Sequence, residues 1–246
     1  MIRIEHINKR FKKLVALSNI SAEFTEGQVV SLVGPNGSGK TTLIKSILGL
    51  VRPDSGTIYF QDEPIHGQVS YRQNIGYMPQ IGKFPENMKI GQLFHMIKNI
   101  RKEKKWDEEL YYRFKLDTML DKSLKALSGG TRQKVSAALA FLFDAQALIL
   151  DEPTAGLDPL SSEILKEKII TEKNKGRLIL ITSHILSDLE ELTTHVVYLQ
   201  EGRMIFYRSL SELQIETGEV KLSRAIASIM KKEEGRNQTS YLKIAN

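Results

Sequence analysis

The feature that most constrains this chain is a glycine-rich segment between a short apolar run and an amphipathic stretch. Residues 34–42 read Gly-Pro-Asn-Gly-Ser-Gly-Lys-Thr-Thr, which matches the pattern Gly-x-x-x-x-Gly-Lys-[Ser/Thr] of phosphate-binding loops. The run 29–33 predicts a strand before the loop, and apolar spacing over 43–51 predicts a helix after it. Glycines let backbone amides curl around phosphate oxygens, and the helix adds its positive dipole end.

These residues predict a nucleotide site with assigned roles. Lys40 is predicted to bridge the β- and γ-phosphates, and the Thr41 hydroxyl to ligate Mg²⁺. The alternative is a plain glycine turn, which the flanking strand and helix disfavour. The residues predicted to hold the nucleotide here are Gly34, Asn36, Gly37, Ser38, Gly39, Lys40, Thr41 and Thr42.

A second phosphate-chemistry motif is a pair of adjacent acids. The apolar run 148–150 predicts a buried strand that delivers Asp151 and Glu152 to its carboxyl end, where open parallel sheets bind ligands. We expect Asp151 to hold Mg²⁺, directly or through water, and Glu152 to accept a proton from the attacking water. Two such acids could also form only a solvated turn, but the phosphate loop favours the catalytic interpretation.

Composition excludes some classes of site. The chain has no cysteine, so disulfides and cysteine-based metal sites are excluded. Its net charge of +6 fits an anionic partner without identifying one. We find no uninterrupted apolar stretch of about 18 residues and no apolar core of a signal peptide. If the protein works at a membrane, a partner is expected to hold it there.

The order of patterns predicts the domain organisation. Strand patterns alternate with helical ones, which predicts a parallel sheet covered on both faces. We expect residues 1–217 to form one domain, with approximately 87–143 inserted as a helical subdomain, and 218–246 to form an extension. Within the extension, 219–232 could form a helix, and the polar segment 233–246 is predicted to be disordered. The predicted strands after residue 33 are 57–60, 147–150, 178–182 and 195–199.

A third motif carries a family resemblance. Residues 127–133, Leu-Ser-Gly-Gly-Thr-Arg-Gln, resemble the signature motif of the nucleotide-binding subunits of ABC transporters, and the resemblance covers about residues 1–215. It implies an α/β fold: a P-loop NTPase (RecA-like) core with an N-terminal antiparallel β subdomain and an inserted α-helical subdomain. In that family the signature opens a helix facing the γ-phosphate that the other subunit holds, a role that falls here on Ser128, Gly129 and Gly130. The alternative is a Ser-Gly-Gly linker.

The resemblance assigns four further residues. Gln80 is similar to the glutamine that contacts Mg²⁺ and the attacking water, although a solvated loop glutamine is the alternative. Asp158 resembles the end of a loop that crosses the dimer interface, and His184 the switch histidine that contacts the γ-phosphate. Phe11 stands where the family usually stacks an aromatic ring on adenine, unless it is a core residue. The catalytic set is then Glu152, His184, Lys40 and Gln80, and the metal set is Thr41, Gln80 and Asp151.

The resemblance also implies partners. It implies a homodimer of ATPase subunits that uses ATP and Mg²⁺ to drive a separate polytopic membrane permease at the cytoplasmic face of the inner membrane, with no nucleic acid expected. The short chain resembles the ABC-2 type export branch. Residues 127–135 and 84–87 look most like the ATPase of the NosDFY system, which helps mature the copper centres of nitrous oxide reductase and would add a periplasmic accessory protein. The alternatives are an exporter of drugs, lipids or glycans, and a soluble ABC ATPase of translation or repair.

Overall fold

The computed structural model describes residues 1–101, 105–183 and 186–232. Two sheets and a helical segment make up this part of the chain. In chain order the elements are β1 (Ile2–Phe11), β2 (Leu14–Phe24), β3 (Val29–Val33), α1 (Lys40–Ile47), β4 (Ser55–Phe60), β5 (Glu63–Pro64), β6 (Ile75–Met78), α2 (Ile90–Arg101), α3 (Glu109–Arg113), α4 (Gly129–Ala140), β7 (Ala147–Asp151), α5 (Pro159–Asn174), β8 (Leu178–Thr182), α6 (Leu186–Glu190), β9 (His195–Gln200), β10 (Arg203–Ser209) and α7 (Leu210–Thr217).

The larger sheet has the strand order β10-β9-β3-β8-β7-β6. Strands β9, β3, β8, β7 and β6 are parallel, and β10 pairs antiparallel with β9. Every residue of β3, β7 and β8 is buried, as expected for parallel strands covered on both faces. The strands predicted over 147–150, 178–182 and 195–199 are present, whereas β6 and β10 were not predicted.

The smaller sheet is antiparallel, with the order β2-β1-β4-β5. It packs against one face of the larger sheet together with α1, and the helical segment covers the other face. Alternate residues of β3 show this division. Val30 and Leu32 belong to the hydrophobic core shared with the smaller sheet and α1, whereas Val29 and Val33 belong to the core shared with the helical segment. This arrangement agrees with the predicted antiparallel subdomain and parallel core.

The helical segment, α2 to α4, lies between β6 and β7 in the chain and is tied to α5 by charge. The buried Lys168 of α5 places its Nζ 2.5 Å from Asp107, 2.8 Å from Glu109 and 3.2 Å from Glu172. Burial lowers the pKa of Lys168, but the hydrogen bonds to Asp107 and Glu109 outweigh it and raise the pKa overall. This ionic junction holds α3 against α5.

Residues 222–232 form a helix that begins three residues after the predicted start. Its residues Leu222, Ala225, Ile226 and Ile229 are buried in the same core as the helical segment, so it packs on the domain. The disorder predicted for 233–246 concerns residues outside the described chain. Among the helices that the structure describes, none combines the length and apolarity needed to cross a membrane.

Candidate functional site

A cleft of about 240 Å³ opens at the carboxyl ends of β3, β6 and β7. Three loops that are far apart in sequence meet there because parallel strands present their carboxyl ends at one edge of the sheet. The predicted site residues that line it are Phe11, Asn36, Gly37, Ser38, Gly39, Lys40, Thr41, Thr42, Gln80, Asp151 and Glu152.

The phosphate loop joins β3 to α1 in a conformation that requires glycine. Gly34, Gly37 and Gly39 have φ angles of 149°, 78° and 108°, and a Cβ on Gly34 would lie 2.0 Å from the Leu199 carbonyl oxygen. Helix α1 starts after Gly39 without a side-chain cap. The first N–H groups of a helix have no partner within the helix, so this end of α1 suits an anion.

Lys40 is buried and folds back on its own loop. Its Nζ donates to the carbonyl oxygens of Gly34 at 2.7 Å and Pro35 at 3.0 Å. Burial lowers its pKa, and the charges of Glu152 and Asp151 oppose that shift without cancelling it. The ammonium group thus contacts the phosphate loop and shares the cleft with the two acids, where the phosphates were predicted to bind.

The two acids are fixed by strand β8. Thr182 Oγ1 donates to Asp151 Oδ1 at 2.6 Å, and the Glu152 N–H donates to Thr182 Oγ1 at 3.0 Å. Glu152 has a φ of 52°, a left-handed conformation that an L-residue keeps only when its surroundings hold it there. Thr182 was not predicted as a site residue; its signal was a polar residue at the carboxyl end of an apolar strand.

The residues predicted to hold Mg²⁺ offer a fitting donor set. Thr41, Gln80 and Asp151 line the same cleft and provide hydroxyl, amide and carboxylate oxygens. Magnesium prefers oxygen ligands and usually takes only one or two from the protein, with phosphate and water completing the shell. The set therefore suits Mg²⁺ bound together with a nucleotide.

The opposite end of the cleft is apolar. Phe11 is 46% exposed and Leu14 is 66% exposed, and both line the cleft with Ala16. The exposure rules out the alternative in which Phe11 is a core residue. Lys9 Nζ lies 5.3 Å from the centre of the Phe11 ring. Leu14 and Ala16 were not predicted, although Leu14 pairs directly with Phe11 across the β1–β2 hairpin.

The signature residues Ser128, Gly129 and Gly130 are not among the described residues that line the cleft. Ser128 is exposed and caps α4, because its Oγ accepts a hydrogen bond from the Thr131 N–H at 3.3 Å. A Cβ on Gly130 would lie 2.8 Å from the Gly156 carbonyl oxygen. The signature thus starts a helix, as predicted, and this helix start lies outside the cleft that contains the phosphate loop.

Asp158 lies outside the cleft and is engaged within the chain. It caps α5 by accepting from the Ser161 N–H at 2.9 Å, and it pairs with Lys134 of α4 at 2.7 Å. The hydrogen bond from Lys134, followed by those from Ser161, holds the pKa of the Asp158 carboxyl below its usual range. Its role at a dimer interface stays a prediction. His184 lies outside the described residues.

Known proteins are similar to this chain in sequence and in architecture. The sequence profile described as ABC transporter matches residues 17–155. An uncharacterized ABC transporter ATP-binding protein, YhaQ of Bacillus subtilis, is 34% identical over 89% of this chain and 74% of that protein. Nod factor export ATP-binding protein I of Burkholderia lata is 33% identical over 83% of this chain and 69% of that protein.

A solved structure of an ATP-binding subunit of an ABC transporter superposes with a TM-score of 0.83. It is 26% identical, and the match covers 94% of this chain and 99% of that one. These findings confirm the predicted fold class. The chain belongs to the ABC transporter family, as an ATP-binding subunit that hydrolyses ATP.

Proposed function

We propose that two copies of this chain form the ATP-driven switch of an exporter and power a separate membrane subunit. The observation that carries this proposal is the division of the site. One cleft gathers the phosphate loop, Gln80, Asp151 and Glu152, whereas the signature turn 128–130 faces outward. A second copy, placed head to tail, would bring its signature turn over the nucleotide.

The residues of the cleft have distinct tasks in this proposal. Lys40 and the start of α1 stabilise negative charge on the transferred phosphoryl group. Glu152 orients the attacking water and accepts its proton, while Gln80 contacts the same water and His184 the γ-phosphate. Thr41, Asp151 and Gln80 would hold Mg²⁺, which would supply positive charge next to the phosphates when bound.

Opening and closing follow from differential binding. The γ-phosphate would contact α1 of one subunit and the signature turn of the other, so ATP favours the closed dimer. Hydrolysis removes that bridge. Asp158 would lie at the closed interface, and Phe11 would stack on the adenine at the open end of the cleft.

A groove of about 290 Å³ between β6, α2 and α4 suits the membrane partner. Its walls include Leu50, Ile97 and Leu139, and none of the described lining residues is acidic. Arg72 and Arg101 also line it. Apolar walls with arginines fit a short amphipathic helix that carries an acidic residue. Such a contact would hold the chain at the cytoplasmic face of the membrane.

The direction of transport is supported by relatives. A protein named for Nod factor export is 33% identical to this chain, which favours export, and the names of both relatives favour a transporter over an ATPase of translation or repair. The ABC-2 subtype stays a prediction. So does the narrower NosDFY-type role in copper maturation, with its periplasmic accessory protein, because it rests on segments 127–135 and 84–87 alone.

The switch is tested with Glu152→Gln in the presence of ATP and Mg²⁺. We expect this variant to bind ATP and accumulate as a dimer in light scattering while hydrolysis is nearly lost, because binding is kept and the base is removed. Glu163→Gln on the exposed side of α5 is the control and should match the wild type. A monomer with bound ATP, or wild-type turnover, would contradict the proposal.

The groove is tested by co-purification from membranes of the native host. Leu139→Asp places a charge in the groove and should release a polytopic membrane protein that the wild-type chain retains, while basal ATPase activity persists. Ile215→Asp, at a side chain 85% exposed on α7, is the matched control and should retain that protein. Equal retention by both variants would overturn the groove assignment.

A further inference from the structure

The first two turns of α4 contact the segment 152–158 at three points. Gln133 Nε2 donates to the carbonyl oxygens of Glu152 at 3.1 Å and Pro153 at 3.4 Å. Gly130 packs so closely on Gly156 that a side chain would not fit. Lys134 pairs with Asp158. The signature helix is therefore fastened along the loop that runs from the acids to Asp158.

Gln133 is the buried member of these contacts. Its exposed fraction is 5%, and an amide is costly to bury unless it is hydrogen-bonded. An apolar residue would suit the core face of α4, where Val135 and Ala137 are fully buried. Gln133 instead places a hydrogen-bond donor at this buried position, and its amide donates to the backbone carbonyls of Glu152 and Pro153.

The two peptide planes that flank Glu152 are held by different elements. Its N–H is bonded to Thr182 at the end of β8, and its carbonyl is bonded to Gln133 on α4. The dihedral angles of a residue are set by the orientations of its two peptide planes, and Glu152 already sits at a φ of 52°. A shift of α4 relative to the sheet would turn the peptide plane that follows Glu152 and would thereby redirect the Glu152 side chain.

We infer that Gln133 is a positioning residue that couples the signature helix to the catalytic carboxylate of the same chain. This inference rests on the proposed function. ATP held by one subunit contacts the start of α4 in the other subunit. Gln133 links that helix to Glu152 of its own chain, which lies beside the second nucleotide. Each site is then aligned by the nucleotide in the other.

The test is Gln133→Leu, which keeps the size of the side chain and removes its donors. We expect kcat to fall on the order of a hundredfold, the cost of a misplacement of about 1 Å, while the Kd for ATP with Mg²⁺ stays at the wild-type value. Gln214→Leu is the matched control, because Gln214 on α7 also donates its side-chain amide to a backbone carbonyl, that of Val220, and lies outside the cleft. It should keep the wild-type kcat.

A double variant separates positioning from a general loss of structure. If Gln133 acts through Glu152, adding Gln133→Leu to Glu152→Gln should cause no further loss of the residual rate. A wild-type kcat for Gln133→Leu, or losses that multiply in the double variant, would overturn the inference. If Glu152→Gln itself retains turnover, the assignment of the base fails instead.

A milder variant covers the case in which Gln133→Leu does not fold. Lys134→Met breaks only the pair with Asp158, at a side chain that is 22% exposed. The variant loosens the contact between α4 and the segment 152–158. The Hill coefficient for ATP should therefore fall towards one, while the melting temperature stays near the wild-type value. An unchanged Hill coefficient would count against coupling through α4.

Discussion

Helices α1 and α4 both begin at a glycine-containing motif, but their first turns differ. Helix α1 starts after Gly39 with no side-chain cap, and its first three residues, Lys40 to Thr42, line the cleft. Helix α4 is capped by Ser128, and its start lies outside the cleft. An uncapped helix start leaves its N–H groups for a ligand, whereas a cap satisfies one of them in advance. In the proposed function, α1 holds the phosphates of the nucleotide in its own chain and α4 adds a contact to the nucleotide of the partner.

The two helix starts also differ in what supports them. The loop before α1 is set by the large sheet, since Gly34 packs on the Leu199 carbonyl of β9. The start of α4 is set by the loop 152–158 and, through α3, by the ionic junction at Lys168. The start of α1 therefore depends on contacts within the large sheet, and the start of α4 depends on contacts between the helical segment and the core.

The largest expected effect concerns α1. Lys40→Met removes the cation beside the phosphate loop, and we expect ATP hydrolysis to fall by about a hundredfold or more. Lys45→Met, at an exposed position in the last turn of the same helix, should hydrolyse ATP like the wild type. Steady-state phosphate release measures both. Full activity of Lys40→Met would remove the distinction between the two helix starts.

The second prediction tests the support of the helical segment. Lys168→Met leaves Asp107, Glu109 and Glu172 without their shared cation, and we expect a loss of about 3 kcal/mol in the free energy of unfolding. Lys175→Met removes a half-exposed partner of Glu172 and should cost much less. Denaturant unfolding gives both values. Equal losses would mean that the junction does not hold the segment.

The third prediction compares two caps. Ser128→Ala on α4 and Ser209→Ala on α7 each remove a side-chain cap, and we expect each to cost about 1 kcal/mol of stability. Only Ser128→Ala should also lower ATP hydrolysis, since Ser128 belongs to the signature turn that is proposed to contact the partner's nucleotide, whereas Ser209 at the end of β10 does not. Thermal unfolding and phosphate release together test this, and matching activities would leave Ser128 with a structural role only.

The smallest expected effect concerns His195, at the amino end of the parallel strand β9 and so at the opposite end of the sheet from the cleft. Burial lowers the pKa of His195, at the start of β9, and Glu212 opposes that shift only in part. The unfolded chain then takes up the proton more readily, so stability falls as the pH drops below about 6.5. His195→Gln should weaken this dependence and leave ATP binding unchanged. A pH series of melting temperatures measures it, and an identical slope would contradict it.

Local patterns were enough to predict much of the fold. Strands β3 and β7 are short apolar runs, interrupted in β3 only by Ser31, and both lead into motif residues, so their type and ends could be read directly. Strand β6 was missed because four residues that include Gly76 give too short a pattern. Strand β10 was also missed, although Gly202 marks the turn before it.

The site was predictable where its residues are adjacent in sequence. Lys40, Asp151 and Glu152 were predicted from their own motifs. The roles of Thr182 and Gln133 depend on which strands and helices become neighbours, such as the pairing of Asp151 with Thr182. No local pattern contains that information.

The central claim, that each ATP site is shared between two copies, is tested most directly by mixing two inactive variants. Lys40→Met spoils the phosphate loop, and Ser128→Arg spoils the signature turn. After subunit exchange, half of the dimers should be mixed and hold one intact site, so the mixture should regain up to about a quarter of the wild-type rate of ATP hydrolysis. A mixture that regains neither hydrolysis nor ATP-dependent dimers would contradict the shared site.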